Sequence, residues 1–185
     1  METILCQPPD FVANLVGYSA AIIVPGPALL WIAWFYWEIV ALDAGFSRKE
    51  MRQTRRIDIP AIIGVIERFL YVASLLVGAP ELIGVWLILK VAGGWQGWSA
   101  GRKPRGQEDD ATAPHVYGRQ VFNIFLLGSG LSLVWAVAGW ASIVWIATHQ
   151  VTLAVVALSA LTLGTYAFAG VLYLVRCAKF KKRAA

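Results

Sequence analysis

The chain has 185 residues, of which 58% are apolar and only 15% are charged, and its net charge is +5. Soluble domains usually carry about 25% charged residues, so this composition and a mean hydropathy of +0.63 indicate an integral membrane protein. We predict an all-α membrane protein with a single transmembrane domain over residues 1–185, without room for a soluble catalytic domain.

Apolar runs long enough to cross a bilayer, at ~20 residues per crossing, predict a bundle of about five transmembrane helices. The runs are Asn14 to Leu42, Ile57 to Gly78, Glu81 to Trp98, Val121 to Ala147 and Val151 to Val175. The first is too long for one straight crossing, and Pro25-Gly26-Pro27 is the predicted break because each proline removes a backbone donor. Two arrangements stay open, a kinked crossing or an interfacial segment from Phe11 to Val24 followed by a short crossing.

The basic residues outside the apolar runs fall in the first loop, the third loop and the C-terminal segment, which lie on the same side of a membrane crossed five times. They are Arg48, Lys49, Arg52, Arg55 and Arg56, then Arg102, Lys103, Arg105 and Arg119, and finally Arg176, Lys179, Lys181, Lys182 and Arg183. The opposite ends contain no Lys or Arg, so the positive-inside rule predicts an outside N-terminus and a cytoplasmic C-terminus.

Residues 99–116 are then a flexible cytoplasmic loop. The basic segments are expected to attract anionic lipids at the bilayer surface and not nucleic acid. Cys6 and Cys177 fall on opposite sides and cannot pair within one subunit, and with no accompanying His cluster they predict no metal site. We expect no cofactor.

Three charged residues, Glu67, Arg68 and Lys90, interrupt the second and third apolar runs. If the turn Gly78-Ala79-Pro80-Glu81 lies at one membrane face, Glu67 and Lys90 both lie roughly 17 Å deep, at ~1.5 Å per residue. A charge facing lipid there costs roughly 2.5 to 3.5 kcal/mol. We therefore predict that these side chains face each other. One anion and two cations leave a positive excess, so either Lys90 is partly neutral or a further partner enters, such as Glu38 or a bound anion.

Small residues mark two helix faces suited to close packing. Gly64 shares a face of the second helix with Glu67, and Gly128, Ser132 and Ala136 recur at every fourth residue of the fourth helix. Such faces let helix backbones approach in lipid. For the Gly128 face, packing within the subunit and homodimerisation both remain open.

A group of short motifs resembles a recurrent pattern in one family of proteins. The segments are Gly64-Val65-Ile66-Glu67-Arg68, Ile83-Gly84, Lys90, Phe122-Asn123 and Leu127-Gly128-Ser129-Gly130-Leu131-Ser132. This pattern resembles that of small uncharacterised bacterial integral membrane proteins, a domain of unknown function. The resemblance covers less than half of the chain, and it implies that Asn123 and Ser132 join Glu67, Arg68 and Lys90 in one buried polar cluster. It also implies a multi-pass protein of the inner (plasma) membrane of a bacterium.

An enzyme is disfavoured, because no common catalytic motif occurs and His115 and His149 fall in predicted loops on opposite sides. A Ser132 nucleophile with Lys90 as base is the catalytic alternative. The favoured hypothesis is a membrane protein whose buried cluster supports helix packing or assembly, as a homo-oligomer or with a membrane protein partner. The alternative is a small ion or solute transporter or channel that uses the cluster as its site.

Overall fold

The computed structural model describes residues 11–43, 58–99 and 113–184, and within these ranges it contains helices and no strands. The helices are α1 (Phe11–Ile22), α2 (Gly26–Asp43), α3 (Asp58–Leu76), α4 (Glu81–Ser99), α5 (Ala113–Ala147) and α6 (Val151–Ala184). The predicted all-helical fold is therefore confirmed. Because α1 and α2 are halves of one broken helix, five helical units result, as the sequence predicts.

The break between α1 and α2 falls at the predicted proline cluster. Ile23 to Pro25 form a turn, in which the Gly26 amide donates to the Ile23 carbonyl at 3.3 Å. Pro25 is buried and Pro27 follows at the second position of α2, and neither has an amide hydrogen to continue the helical ladder of α1.

Two boundaries differ from those predicted. α5 begins at Ala113 and not at Val121, so residues 113–116 are helical although they were predicted as part of the flexible loop. An early proline, Pro114, suits a helix start because its missing amide is unpaired there in any case. α6 continues to Ala184, beyond the predicted end at Val175. The loop residues 100–112 and the basic segment 44–57 lie outside the described residues.

The two tight turns, α3 to α4 and α5 to α6, have the same backbone pattern. After α3, Gly78 has φ +71°, its amide donates to the Leu75 carbonyl at 3.3 Å, and the next amide donates to the Ser74 carbonyl at 2.9 Å. This is the Schellman arrangement, which satisfies the last carbonyls of a helix and favours glycine at the left-handed residue. After α5 the same position is His149, with φ +61°.

Helix α5 is central and packs against α1, α2, α3, α4 and α6. Its closest approach is to α1, where a Cβ atom on Gly17 would lie 2.6 Å from the Gly139 carbonyl oxygen. A Cβ atom on Gly128, by contrast, would meet nothing within 4 Å, so the predicted packing role of Gly128 is not seen among the described residues, and homodimerisation through this face stays a prediction. Ala136 is fully buried, and close packing thus lies nearer the C-terminal end of α5 than predicted.

The contacts also give the relative directions of the helices. Residues on α2 and α6 pair in rising order, from Phe35 with Tyr173 to Asp43 with Lys179, so these two helices run parallel. α1 runs antiparallel to α5, and each tight turn joins an antiparallel pair. The first unit and α6 therefore run in the same direction, and α5 runs opposite to both.

Three helical runs among the described residues are long and apolar enough to cross a membrane. They are Phe11–Asp43, Phe122–Ala147 and Val151–Lys182. The predicted crossings by α3 and α4 stay predictions.

Candidate functional site: an ion centre between three helices

The hairpin of α3 and α4 brings Glu67 and Lys90 together. The Lys90 ammonium donates a hydrogen bond to Oε1 of Glu67 and forms an ion pair with it. The Glu67 side chain is 2% exposed and that of Lys90 is 17% exposed. An opposite charge is what allows a carboxylate to remain ionised in apolar surroundings. We call Glu67, Lys90 and the neighbouring Arg68 the ion centre.

Lys90 also ties the hairpin to α5. Its ammonium donates to Oγ of Ser129 at 2.8 Å and lies 4.2 Å from the centre of the Phe125 ring. A cation at that distance from an aromatic face is attracted by the ring quadrupole, more strongly where water is scarce. One ammonium therefore has a partner on each of two other helices.

Glu67 accepts a second hydrogen bond from its own hairpin. The indole Nε1 of Trp86, one turn before Lys90, donates to the same Oε1 at 3.3 Å. The Tyr71 hydroxyl, fully buried one turn after Glu67, lies close to this carboxylate without a hydrogen bond of regular geometry. Indole and phenol groups thus supplement the ammonium around the buried carboxylate.

Arg68 is buried without a comparable partner. It is 3% exposed, and its Nε atom has no acceptor among the residues that the structure describes. Its Nη1 atom lies 3.4 Å from where a Cβ atom of Gly64 would be, so the side chain folds back over the preceding turn of α3. The predicted neighbour Gly64 therefore provides space for the guanidinium group.

The other two residues of the predicted cluster have different positions. Asn123 is exposed, so the structure does not include it in the cluster as predicted. Ser132 is buried, but Lys90 bonds to Ser129, one turn earlier. Phe125, Ser129 and Ser132 follow each other at spacings of four and three, which puts all three on one face of α5. That spacing is the sequence signal that includes Ser129, whereas the choice between the two serines depends on how far α5 is shifted along α4.

A second group of charges joins α2 to α6. Nε of Arg176 donates to Oε2 of Glu38, and both side chains are largely buried. The Arg176 guanidinium carbon lies 5.1 to 5.9 Å from the centres of four aromatic rings, those of Trp34, Phe35, Tyr173 and Phe180. A more exposed ion pair, Lys179 with Asp43, follows one turn later. Glu38 is thus paired with Arg176 and is not the further partner of the ion centre considered from the sequence.

Groups of three or more His, Cys, Asp or Glu side chains placed to hold a metal ion are absent from the described part of the chain. The arrangement of the ion centre is suited to holding charges in fixed register or to binding an ion, because its donors and acceptors converge from three helices. Comparisons with protein-family models, with curated proteins and with solved structures give no significant match. The family resemblance therefore rests on the quoted motifs alone and stays a prediction.

Proposed function

We propose that the chain is a non-enzymatic multi-pass protein of the bacterial inner membrane, in which the ion centre holds the α3–α4 hairpin in one register on α5. This centre thereby supports helix packing and assembly, either as a homo-oligomer or with another membrane protein. The observation that carries the proposal is the Lys90 ammonium, which bonds to Glu67 of α3 and to Ser129 of α5. In lipid, polar groups that lose their partners find no water to replace them, so sliding any of these helices costs free energy.

Placement in a membrane is supported by the outer surface of the bundle. Bulky apolar side chains lie exposed on several helices: Leu15, Val16, Leu82, Val85, Ile88, Leu89, Val155, Val156, Leu163, Val171 and Leu174. Soluble monomers rarely expose apolar patches of this extent. Together with the three membrane-length runs, this surface fits contact with lipid acyl chains.

The proposed topology has five crossings, an outside N-terminus and a cytoplasmic C-terminus. The first unit and α6 run in the same direction, which supports an odd number of crossings, and the basic end of α6 supports a cytoplasmic C-terminus. Anionic lipid headgroups are the expected partners of this basic end.

Cys177 tests the orientation because it is an exposed free cysteine near the end of α6. With Cys6→Ser to remove the other thiol, a membrane-impermeant maleimide should label inverted vesicles and leave intact spheroplasts unlabelled. Labelling after detergent permeabilisation is the control for reactivity. Labelling of intact spheroplasts would refute the orientation.

The second candidate function is transport of a small ion or solute through the same centre. It is favoured by the Lys90 side chain, which is 17% exposed and so not sealed off by the chain.

Reconstitution into liposomes separates the two functions. Transport requires an ion flux that Glu67→Gln abolishes while the variant stays folded. The packing function instead requires that Glu67→Gln lowers stability or disperses the assembly, measured by thermal unfolding and by the particle mass in lipid nanodiscs. A variant as stable and as fully assembled as the wild type would refute the packing function.

A further inference from the structure

The ion centre contains one more positive charge than its carboxylate balances. Glu67 is paired with Lys90, and the other ion pairs between described side chains, Arg176 with Glu38 and Lys179 with Asp43, are on α2 and α6. Arg68 has no carboxylate within ion-pair distance among the described side chains, although it is 3% exposed. A buried charge without a partner is strongly unfavourable, so this position requires a negative charge from another source.

The position of Arg68 restricts what that source is. Ten residues separate Arg68 from Gly78 at the turn, so the guanidinium group lies ~15 Å from that end of α3, at 1.5 Å per residue. If the turn lies at the membrane surface, as proposed above, a lipid phosphate would have to sink to the middle of the bilayer. A small soluble anion has no such constraint, and the excess to be balanced is a single charge.

We propose that Arg68 binds one small monovalent inorganic anion, of the size of a halide, within the bundle. The Nε–H group provides a donor that has no acceptor in the described part of the chain, and the guanidinium group presents its donors in a planar fork suited to anions. Gly64 has no side chain to cover the Nη1 atom of Arg68, and Gly64 is itself partly exposed. An anion can therefore reach the guanidinium group over this turn of α3. The inference rests on the membrane placement in the proposed function, but not on the packing role of Lys90.

The test is thermal unfolding of the purified protein in phosphatidylcholine nanodiscs, with sodium bromide or sodium gluconate at constant ionic strength. Bromide should raise the midpoint saturably, because a ligand that binds only the folded state stabilises it in proportion to occupancy. Gluconate is too large for a buried site and should not raise the midpoint.

Arg68→Lys keeps the positive charge but lacks the planar fork of donors, so the bromide affinity obtained from the midpoints should fall at least tenfold. Arg68→Gln should abolish it. Arg176→Gln is the matched control, since Arg176 has its own carboxylate, and the bromide dependence should persist there.

Equal midpoints in the two salts, or an undiminished bromide effect in Arg68→Gln, would overturn the proposal. If the Arg68 variants do not fold, crystals of the wild type soaked in bromide decide. An anomalous peak beside the Arg68 guanidinium supports the site, and its absence overturns it. A Lys90→Met variant separates this proposal from the packing function: one outcome is that the variant loses no stability and its unfolding midpoint still rises with bromide. That result would refute the packing function and leave the anion site standing.

Discussion

Neutralising either Glu67 or Lys90 should destabilise the protein more than neutralising one residue of any other ion pair among the described residues. The pair lies between three helices, and removing one partner of a buried pair typically costs ~3 to 5 kcal/mol, because the other charge is left unpaired. Two features lower the cost here. Arg68 remains near Glu67 when Lys90 is lost, and Lys90 keeps Ser129 and the Phe125 ring when Glu67 is lost. We therefore expect Lys90→Met and Glu67→Gln each to cost about 2 to 3 kcal/mol.

The double variant isolates the interaction from the cost of each substitution. With both charges removed, no unpaired charge from this pair remains, so Glu67→Gln with Lys90→Met should be no less stable than the worse single variant. The resulting coupling free energy is about 2 kcal/mol, which lies within the range for residues in direct contact. Equilibrium unfolding in mixed micelles, followed by circular dichroism and tryptophan fluorescence, measures all four proteins.

The exposed pair of Lys179 and Asp43 serves as the matched control. Its side chains are 39% and 50% exposed, and exposed ion pairs typically contribute ~0.2 to 1 kcal/mol. Lys179→Met with Asp43→Asn should accordingly give a coupling well below that of the buried pair. If the Glu67 and Lys90 substitutions are additive within ~0.5 kcal/mol, or each costs less than that, the ion centre does not hold the helices together.

Three further predictions concern helix packing and turns. Gly139→Ala should cost about 1 to 3 kcal/mol in the same unfolding assay, because its Cβ atom would lie 2.6 Å from the Gly17 carbonyl oxygen. Gly128→Ala is the control: its Cβ atom would meet open space, so stability should change by less than ~0.5 kcal/mol. Equal costs for the two variants would contradict the close approach of α1 and α5. His149→Gly should stabilise the protein by ~1 kcal/mol, since glycine adopts the positive φ at that turn without strain, and an unchanged thermal midpoint would contradict this. Arg176→Lys should destabilise by about 1 kcal/mol despite keeping the charge, because lysine lacks the planar group that lies between the aromatic rings, and full retention of stability would show that charge alone matters.

Much of the fold follows from the sequence. The lengths of the apolar runs determine the number of helical units, and Pro25 and Pro27 locate the break in the first one, because the missing amide hydrogens act locally. The contact between Glu67 and Lys90 also follows from local information, since a tight turn at nearly equal distance from both residues gives them a similar depth. The first helical turn, residues 113–116, does not follow from the sequence pattern because its composition resembles that of the adjoining polar loop.

The tertiary structure alone decided which residues complete the ion centre. Ser129 rather than Ser132 accepts the hydrogen bond from Lys90, and Asn123 is exposed, because the shift of α5 along the hairpin depends on packing across the whole bundle. The direct approach of Gly17 to Gly139 is likewise a contact between distant segments. Ala13, Gly17 and Ala21 recur at every fourth residue of α1 and mark a close-packing face, but this spacing does not identify the partner helix. Periodicity along a chain specifies the face of a helix, whereas the partner of that face is set by the simultaneous fit of all the neighbouring helices.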